Sequence, residues 1–217
     1  MSDLKPYGRF RTLLIFGAPG SGKGTQGKVL GTIPRFHHMA CGDVFRSLDT
    51  RTTLGQEFVK YSSQGQLVPD EVTVRLWRAA INDRVKTHNF KPDIDFLILD
   101  GIPRSVEQAR LMEVDIDVVH VFHLSCPDRD ELARRLRKRA LKENRFDDAN
   151  EEVIQKRIKT YEQESKPILD YYTSGPYAGK DMVSDMDAGQ APAKVVHGIL
   201  SRVMELDAWK KVESLRV

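Results

Sequence analysis

The stretch TLLIFGAPGSGKGTQ, residues 12–26, decides how the chain folds. Its beginning, residues 12–16, is a short and continuous apolar run, which is typical of a buried strand. It then places Gly17, Gly22 and Lys23 at the spacing of a phosphate-binding loop that opens a helix. A strand that runs through such a loop into a helix predicts an α/β fold.

The loop is suited to hold a polyphosphate. Glycines let the backbone curl until consecutive N–H groups point inward, and the following helix adds the positive end of its dipole. The side chain of Lys23 would then reach the β- and γ-phosphates. The alternative is a glycine-rich turn whose lysine binds nothing. The candidate phosphate-binding residues of the loop are Gly20, Ser21, Gly22, Lys23, Gly24 and Thr25.

The bulk composition excludes several classes of protein. A chain of 217 residues suits one domain, which would bury roughly 70% of its unfolded surface. The 34 Lys and Arg nearly balance 31 Asp and Glu, and the net charge of +3 is too small to attract nucleic acid. Cys41 and Cys126 are too few for a disulfide framework. Residues 1–10 lack the apolar core of a signal peptide, so we expect a cytoplasmic protein that enters no membrane.

Further apolar runs predict the rest of a parallel sheet. Residues 96–99 and 118–124 are strong strand candidates, and residues 35–39 and 181–184 are weaker ones. Together with the first strand they predict a three-layer α/β fold with a five-stranded parallel sheet. Helices are predicted to begin near Lys23, Gly42, Asp70, Ser105, Asp128, Asn150 and Ala191. The helix over residues 150–172 is the clearest, although Pro167 should bend it.

Four further segments match a known family across nearly the whole chain. They are CGDVFR (41–46), GQLVPDE (65–71), LILDGIPRSVEQA (97–109), and RLRKR (135–139) followed by NRFDD and KRIKTY. Together with the string GKGT they resemble the adenylate kinases of the short-lid type, within the nucleoside monophosphate kinases. The resemblance implies a reversible, magnesium-dependent transfer, ATP + AMP = 2 ADP.

The resemblance also implies how the chain is organised. Residues 1–217 would form a single P-loop kinase domain, with an AMP-binding flap over about 41–68 and a short lid over about 139–149. The short lid leaves no room for the zinc-binding insertion of longer relatives. The expected partners are ATP and AMP with Mg²⁺, without zinc, nucleic acid or membrane, and the expected state is a monomer.

The acceptor nucleotide is expected to lie under the flap. By resemblance Arg46 and Arg104 hold the AMP phosphate, which suits the bidentate guanidinium group. The other residues assigned to AMP are Cys41, Gln66, Leu67, Val68, Gly101, Gln108, Arg145 and Arg157. The alternative from the sequence alone is that Arg46 is an exposed helix arginine, and that residues 66–68 form a turn.

The donor side and the reacting phosphates have their own candidates. The residues expected to act in catalysis are Lys23, Arg104, Arg139, Arg145 and Arg157. Arg135, Arg139 and Gly189 join the loop in binding ATP, and Asp100 would hold magnesium through water. Other interpretations remain open here: Asp100 as a helix cap, Gly189 as an ordinary turn, and the RLRKR run as a solvated or nucleic-acid-binding face.

Base specificity depends on a few positions. The amide group of Gln108 can pair with both a donor and an acceptor of adenine. Pyrimidine-preferring relatives typically carry Asn in the corresponding region, so the resemblance implies that Gln108 favours AMP over CMP or UMP. Cys41 stands where adenylate kinases usually carry Thr and pyrimidine enzymes Ala, and Ile102 replaces an aromatic residue. The alternatives are therefore a UMP/CMP-type kinase and, in a different class, a non-catalytic nucleotide sensor.

Overall fold

The structure is a computed structural model that describes residues 8–62, 68–143 and 150–214. Within these ranges one parallel sheet contains the strands β1 (Phe10–Gly17), β2 (Phe36–Ala40), β3 (Phe96–Asp100), β4 (Ile116–Ser125) and β5 (Val183–Asp187). Their spatial order is β2-β3-β1-β4-β5, and every neighbouring pair is parallel. The predicted α/β class and all five predicted strands are confirmed, and the loop after β1 leaves the centre of the sheet.

Helices cover both faces of the sheet. They are α1 (Lys23–Leu30), α2 (Cys41–Arg46), α3 (Thr53–Ser62), α4 (Asp70–Lys86), α5 (Val106–Met112), α6 (Arg129–Glu143), α7 (Glu151–Thr160), α8 (Pro167–Thr173), α9 (Pro192–Glu205) and α10 (Asp207–Glu213). The seven predicted helix starts are confirmed to within one residue, whereas α3 and α10 were not predicted. In the described part of the chain, no helix combines the length and apolar character needed to cross a membrane.

Side-chain caps explain why several helix starts were predictable. Ser105 accepts the backbone N–H of Gln108 at 3.0 Å, and Asn150 accepts that of Glu152 at 2.8 Å. The Asp128 carboxylate accepts two N–H groups at the start of α6, each at 3.0 Å. These polar side chains satisfy donors that the helix leaves without a partner.

The segment predicted as one long helix over residues 150–172 is divided into pieces of different helical type. It contains α7, a π-helical turn at Tyr161–Ser165, and α8, with Pro167 at the first position of α8. Proline cannot donate a backbone hydrogen bond and its ring crowds the preceding turn. A widened π-helical turn therefore lies just before Pro167, where the sequence predicted a bend.

The core has two main layers, one on each face of the sheet. Along β1, Leu14 packs with one layer, and Leu13 and Ile15 pack with the other, because successive side chains alternate across a strand. A smaller third cluster joins α6 and α7 to Ala18 of the loop. The strand that leads to the loop is thus buried on both faces, which explains its continuous apolar sequence.

The C-terminal segment, which the sequence left unexplained, closes one edge of the sheet. Trp209 of α10 stacks on Phe36 of β2 with ring centroids 5.2 Å apart and planes 11° apart. Arg35 donates from Nη1 to the carbonyl oxygen of Val212 at 2.7 Å. The segment therefore covers the aromatic side of β2, far along the chain from it.

Candidate active site

The loop between β1 and α1 takes a conformation that only glycine adopts easily. Gly17, Gly20 and Gly22 have φ values of 146°, 88° and 94°. A Cβ atom on Gly17 would lie 2.6 Å from the carbonyl oxygen of Leu124, and one on Gly20 would lie 2.7 Å from that of Leu132. The loop is therefore held closely against β4 and α6, with a fixed shape.

Lys23, the first residue of α1, lies across this loop. Its Nζ donates to the carbonyl oxygens of Gly17 at 2.8 Å and Ala18 at 3.1 Å. Burial lowers the pKa of Lys23 to about 8, from an ordinary value of 10.5. The ammonium group is thus only partly compensated by the protein, and a bound anion would stabilise it.

Several charged side chains lie close enough to Lys23 to shift its pKa. Asp100 raises this pKa, whereas Arg104, Arg139 and Arg157 lower it. Asp100 ends β3, Arg104 lies in the segment after β3, and Arg139 and Arg157 belong to α6 and α7. The fold therefore brings Lys23 close to Arg157, which lies 134 residues further along the chain. Four cations and one carboxylate at one place make an environment suited to polyphosphate.

Asp100 ends β3, and its carboxylate is largely buried. Its backbone is in register with Ile15 on one side and Ala40 on the other. A Cβ atom on Gly24 would lie 3.5 Å from Oδ2 of Asp100, which places the carboxylate beside the start of α1. Ser105 caps the next helix, α5. The cap of α5 is therefore Ser105 and not Asp100.

Three candidates for the acceptor site lie close together, one from the start of α2 and two from the segment that follows β3. A Cβ atom on Gly101, which has φ 78°, would lie 3.6 Å from Nη2 of Arg104 and 3.7 Å from Cβ of Cys41. Arg104 donates from Nε to the carbonyl oxygen of Gly101 at 2.8 Å. Burial raises the pKa of the Cys41 thiol to about 11, so Cys41 is a small protonated side chain in this pocket.

Gln108 is buried at the start of α5, and both ends of its amide group are hydrogen-bonded. Its Nε2 donates to Oδ1 of Asp70 at 2.7 Å, and its Oε1 accepts the backbone N–H of Arg104 at 2.7 Å. The sequence pointed to Gln108 and Arg104 but missed Asp70. As an acidic residue in the first turn of α4, Asp70 reads simply as a favourable helix terminus.

The remaining flap candidates are placed less centrally. The Arg46 guanidinium, about half exposed, pairs with Asp43 one turn earlier in α2. A Cβ atom on Gly42 would lie 3.1 Å from Nη1 of Arg46, so this side chain folds back over its own helix. Val68 is partly buried just before α4. Gln66, Leu67 and Arg145 lie outside the described residues.

Two donor-side candidates that are 54 positions apart in the sequence become neighbours. Arg135 donates from Nη1 to the carbonyl oxygen of Ala188 at 2.8 Å and from Nε to Oε1 of Glu131 at 2.7 Å. The next residue, Gly189, donates its backbone N–H to Oδ1 of Asp187 at 2.8 Å. The segment after β5 is thus a turn built on Asp187 and held by an arginine of α6.

The basic run of α6 divides into two faces. Arg134 pairs with Glu131 on the exposed side at 2.6 Å, and Arg137 pairs with Glu151 of α7 at 2.6 Å. Arg135 instead reaches Ala188, and Arg139 lies close enough to Lys23 to lower its pKa. The basic residues of α6 therefore do not form one uniformly solvated or nucleic-acid-binding face.

The sequence of this chain is similar to those of known proteins. The family model described as adenylate kinase matches residues 15–177. The adenylate kinase of Cyanothece sp. is 35% identical over 206 residues, which cover 92% of this chain and 98% of that protein. The adenylate kinase of Leptospira biflexa is 37% identical over 168 residues, covering 75% and 86% of the two chains. The one from Bacteroides thetaiotaomicron is 39% identical over 166 residues, covering 74% and 83%.

The chain belongs to the adenylate kinase family.

The matched range, residues 15–177, contains the loop, Lys23, Asp100, Arg104, Arg139 and Arg157. Gly189 lies beyond that range, next to Ala188, whose carbonyl oxygen accepts a hydrogen bond from Arg135. Among the residues that the structure describes, no group of three or more His, Cys, Asp or Glu side chains could hold a metal ion.

Proposed function

We propose that this protein transfers the terminal phosphoryl group of ATP to AMP and forms two molecules of ADP. The observation that carries the proposal is that Lys23 lies across the phosphate-binding loop, with Arg104, Arg139 and Arg157 all close enough to lower its pKa. Lys23 belongs to the donor loop, whereas Arg104 belongs to the acceptor side with Cys41 and Gly101. Two phosphate sites therefore face each other across one group of cations.

The chemistry of phosphoryl transfer suits this arrangement. The transition state spreads negative charge over the equatorial oxygens, so positioning and nearby positive charge supply most of the catalysis. The acceptor phosphate has a second pKa of about 6 and is already ionised near neutral pH. No general base is needed. Burial lowers the pKa of both His37 and His38, and we assign them structural roles.

We assign the cations to two tasks. Lys23, Arg139, Arg145 and Arg157 would contact the transferring phosphoryl group. Arg104 and Arg46 would hold the AMP phosphate, for which Arg46 must exchange Asp43 for the phosphate. Its half-exposed position on α2 allows that exchange.

Magnesium is the metal that the donor set fits. Asp100 supplies a carboxylate beside the start of α1, and Thr25 is the third residue of α1 and carries a hydroxyl; magnesium prefers such oxygen ligands while it keeps several waters. Asp100 would hold the ion through water. When bound with ATP, magnesium neutralises part of the charge on the β- and γ-phosphate oxygens.

The two bases would bind at opposite sides of the group of cations. Arg135 and Gly189 would border the donor adenine, because the turn after β5 is fixed by the contact of Arg135 with Ala188. Cys41, Val68 and Gln108, with Gln66 and Leu67, would border the acceptor base. The amide group of Gln108 could pair there with both the donor and the acceptor of adenine.

Two mobile covers would complete the site. We infer that residues 41–68 act as the flap and residues 139–149 as the lid, and that the protein works as a cytoplasmic monomer. Closure over both nucleotides would exclude water and bring the last arginines to the phosphates. We expect lid opening to limit turnover; stopped-flow data in which chemistry is slower than opening would contradict this.

A coupled assay with Mg-ATP and four acceptors, AMP, CMP, UMP and GMP, tests the proposal. We expect strong preference for AMP and loss of that activity in Arg104→Ala. Preference for CMP or UMP would instead assign the chain to pyrimidine nucleotides. ATP binding without any transfer would contradict the kinase and favour a nucleotide sensor.

A further inference from the structure

A closed set of hydrogen bonds joins the start of α4 to the start of α5. One Asp70 carboxylate oxygen accepts from Ser105 Oγ at 2.7 Å, and the other accepts from Gln108 Nε2 at 2.7 Å. Ser105 Oγ in turn accepts the Gln108 backbone N–H at 3.0 Å, and Gln108 Oε1 accepts the Arg104 N–H at 2.7 Å. Asp70 is thus tied to the cap of α5 and to a side chain of the acceptor site.

This set of bonds determines which way the Gln108 amide group points. A backbone N–H such as that of Arg104 can only donate, and a carboxylate such as that of Asp70 can only accept. Rotating the amide by 180° would place Nε2 against the N–H and Oε1 against the carboxylate. Because Gln108 is buried, both mismatched groups would lack partners, so the rotated state is strongly disfavoured.

The fixed amide group still has capacity for a ligand. An amide has two N–H bonds and two lone pairs on its oxygen, and Asp70 and Arg104 take one of each. One donor and one acceptor remain, in an order that the protein has set. Gln108 is also one hydrogen bond away from Arg104, whose guanidinium lies close enough to Lys23 to lower its pKa.

The order of donor and acceptor distinguishes adenine from the 6-oxopurines. Adenine presents an N6 donor beside an N1 acceptor, whereas hypoxanthine and guanine present an O6 acceptor beside an N1–H donor. An amide that rotates freely pairs with either edge. An amide held in one orientation pairs with one edge and opposes the other.

We propose that Asp70 is a positioning residue for base specificity: by fixing the Gln108 amide, it makes the acceptor site accept AMP and reject 6-oxopurine monophosphates such as IMP. The inference rests on the proposed function, in which Gln108 faces the acceptor base. Asp70 itself does not touch the nucleotide and acts through Gln108. Ser105 supports it by holding the second oxygen of the carboxylate.

The test compares AMP with IMP in the wild-type enzyme and in Asp70→Asn. An asparagine amide offers Gln108 either a donor or an acceptor, so in the variant only the Arg104 N–H still favours one orientation of the Gln108 amide, and the rotated state becomes easier to reach. We expect the ratio of kcat/KM for AMP to kcat/KM for IMP to fall by about ten- to a hundredfold, the value of one hydrogen bond to a charged group. The KM for ATP should not change.

The matched control is Asp83→Asn, an exposed aspartate on the same helix α4, which should leave the ratio unchanged. A purely structural role of Asp70 would lower both kcat/KM values by the same factor, and that result would overturn the inference. So would a wild-type enzyme that uses AMP and IMP equally well, a result that requires no variant to fold. A wild-type enzyme that uses neither AMP nor IMP would contradict the proposed function itself.

Discussion

The donor and acceptor sides of the site differ in how completely the chain has built them. On the donor side the loop leaves the central strand β1, and its glycines lie against β4 and α6 too closely for a Cβ atom. On the acceptor side α2 follows β2, at the edge of the sheet, and Arg46 is half exposed and paired within its own helix. A central position fixes the donor loop from several sides, whereas an edge position leaves the acceptor helices fewer neighbours. The donor loop is therefore preorganised, whereas Arg46 on the acceptor side would have to leave Asp43 before it could contact a phosphate.

Lys23→Met should have the largest effect, because it removes the ammonium group that lies between the proposed donor and acceptor phosphates. We expect kcat to fall by about 10²–10³-fold, the usual loss when one group that stabilises transition-state charge is removed. Lys28→Met, an exposed lysine on the same helix, should keep wild-type kcat. Steady-state kinetics on both variants checks this, and a normal kcat in Lys23→Met would refute the donor half of the account.

Arg104→Met should separate the two sides. We expect kcat/KM for AMP to fall by about a hundredfold, as for the loss of a bidentate charged contact, with little change in KM for ATP. Arg110→Met, exposed on the adjoining helix α5, serves as the control. If KM for ATP rose as much as KM for AMP, Arg104 would belong to the donor side and the comparison would fail.

The pH dependence of ATP capture follows from the lowered pKa of Lys23. Above pH 8 the free enzyme loses the ammonium charge, so kcat/KM for ATP should fall about tenfold per pH unit. Bound phosphate favours the charged form, so kcat should hold to higher pH. Since the folded pKa lies below the unfolded value of 10.5, the unfolded chain binds more protons between these values, and this group's contribution to stability rises with pH there. A flat kcat/KM profile up to pH 9.5 would contradict this prediction.

Arg135→Met should have the smallest effect, because Arg135 holds the turn that borders the donor adenine and would not contact the reacting phosphoryl group. We expect KM for ATP to rise about threefold to tenfold, the range for one ordinary hydrogen bond, because Arg135 would act on ATP only through the turn that it holds. Arg134 and Arg135 both pair with Glu131, but only Arg135 also contacts Ala188. Arg134→Met is therefore the control: the difference between the two variants measures the contact with Ala188. Equal effects of the two substitutions would show that Glu131, and not the turn, is responsible.

The sequence predicted those parts of the fold that local patterns determine. The strand and loop at residues 12–26 are contiguous, and Ser105, Asp128 and Asn150 mark helix starts by capping them. The helix α10 was missed because a long-range contact of Trp209 with Phe36 holds it in place. Short helices have little stability of their own, so such packing decides whether they form.

The site divides in the same way. Lys23 and its loop follow from spacing alone, whereas the resemblance to a family supplied Arg104, Arg139 and Arg157. Asp70 escaped both approaches because its partners, Ser105 and Gln108, lie 35 and 38 positions further along the chain. Hydrogen bonds between distant side chains leave no periodic signal in a sequence.

A single-turnover experiment with ATP labelled on its terminal phosphate tests the central claim most directly. The enzyme is mixed in excess with labelled Mg-ATP, with and without AMP, and the label is followed into ADP and inorganic phosphate. If donor and acceptor phosphates meet at Lys23, the label should pass to ADP rapidly with AMP and scarcely reach water without it. Equal release of inorganic phosphate in both cases would contradict the account.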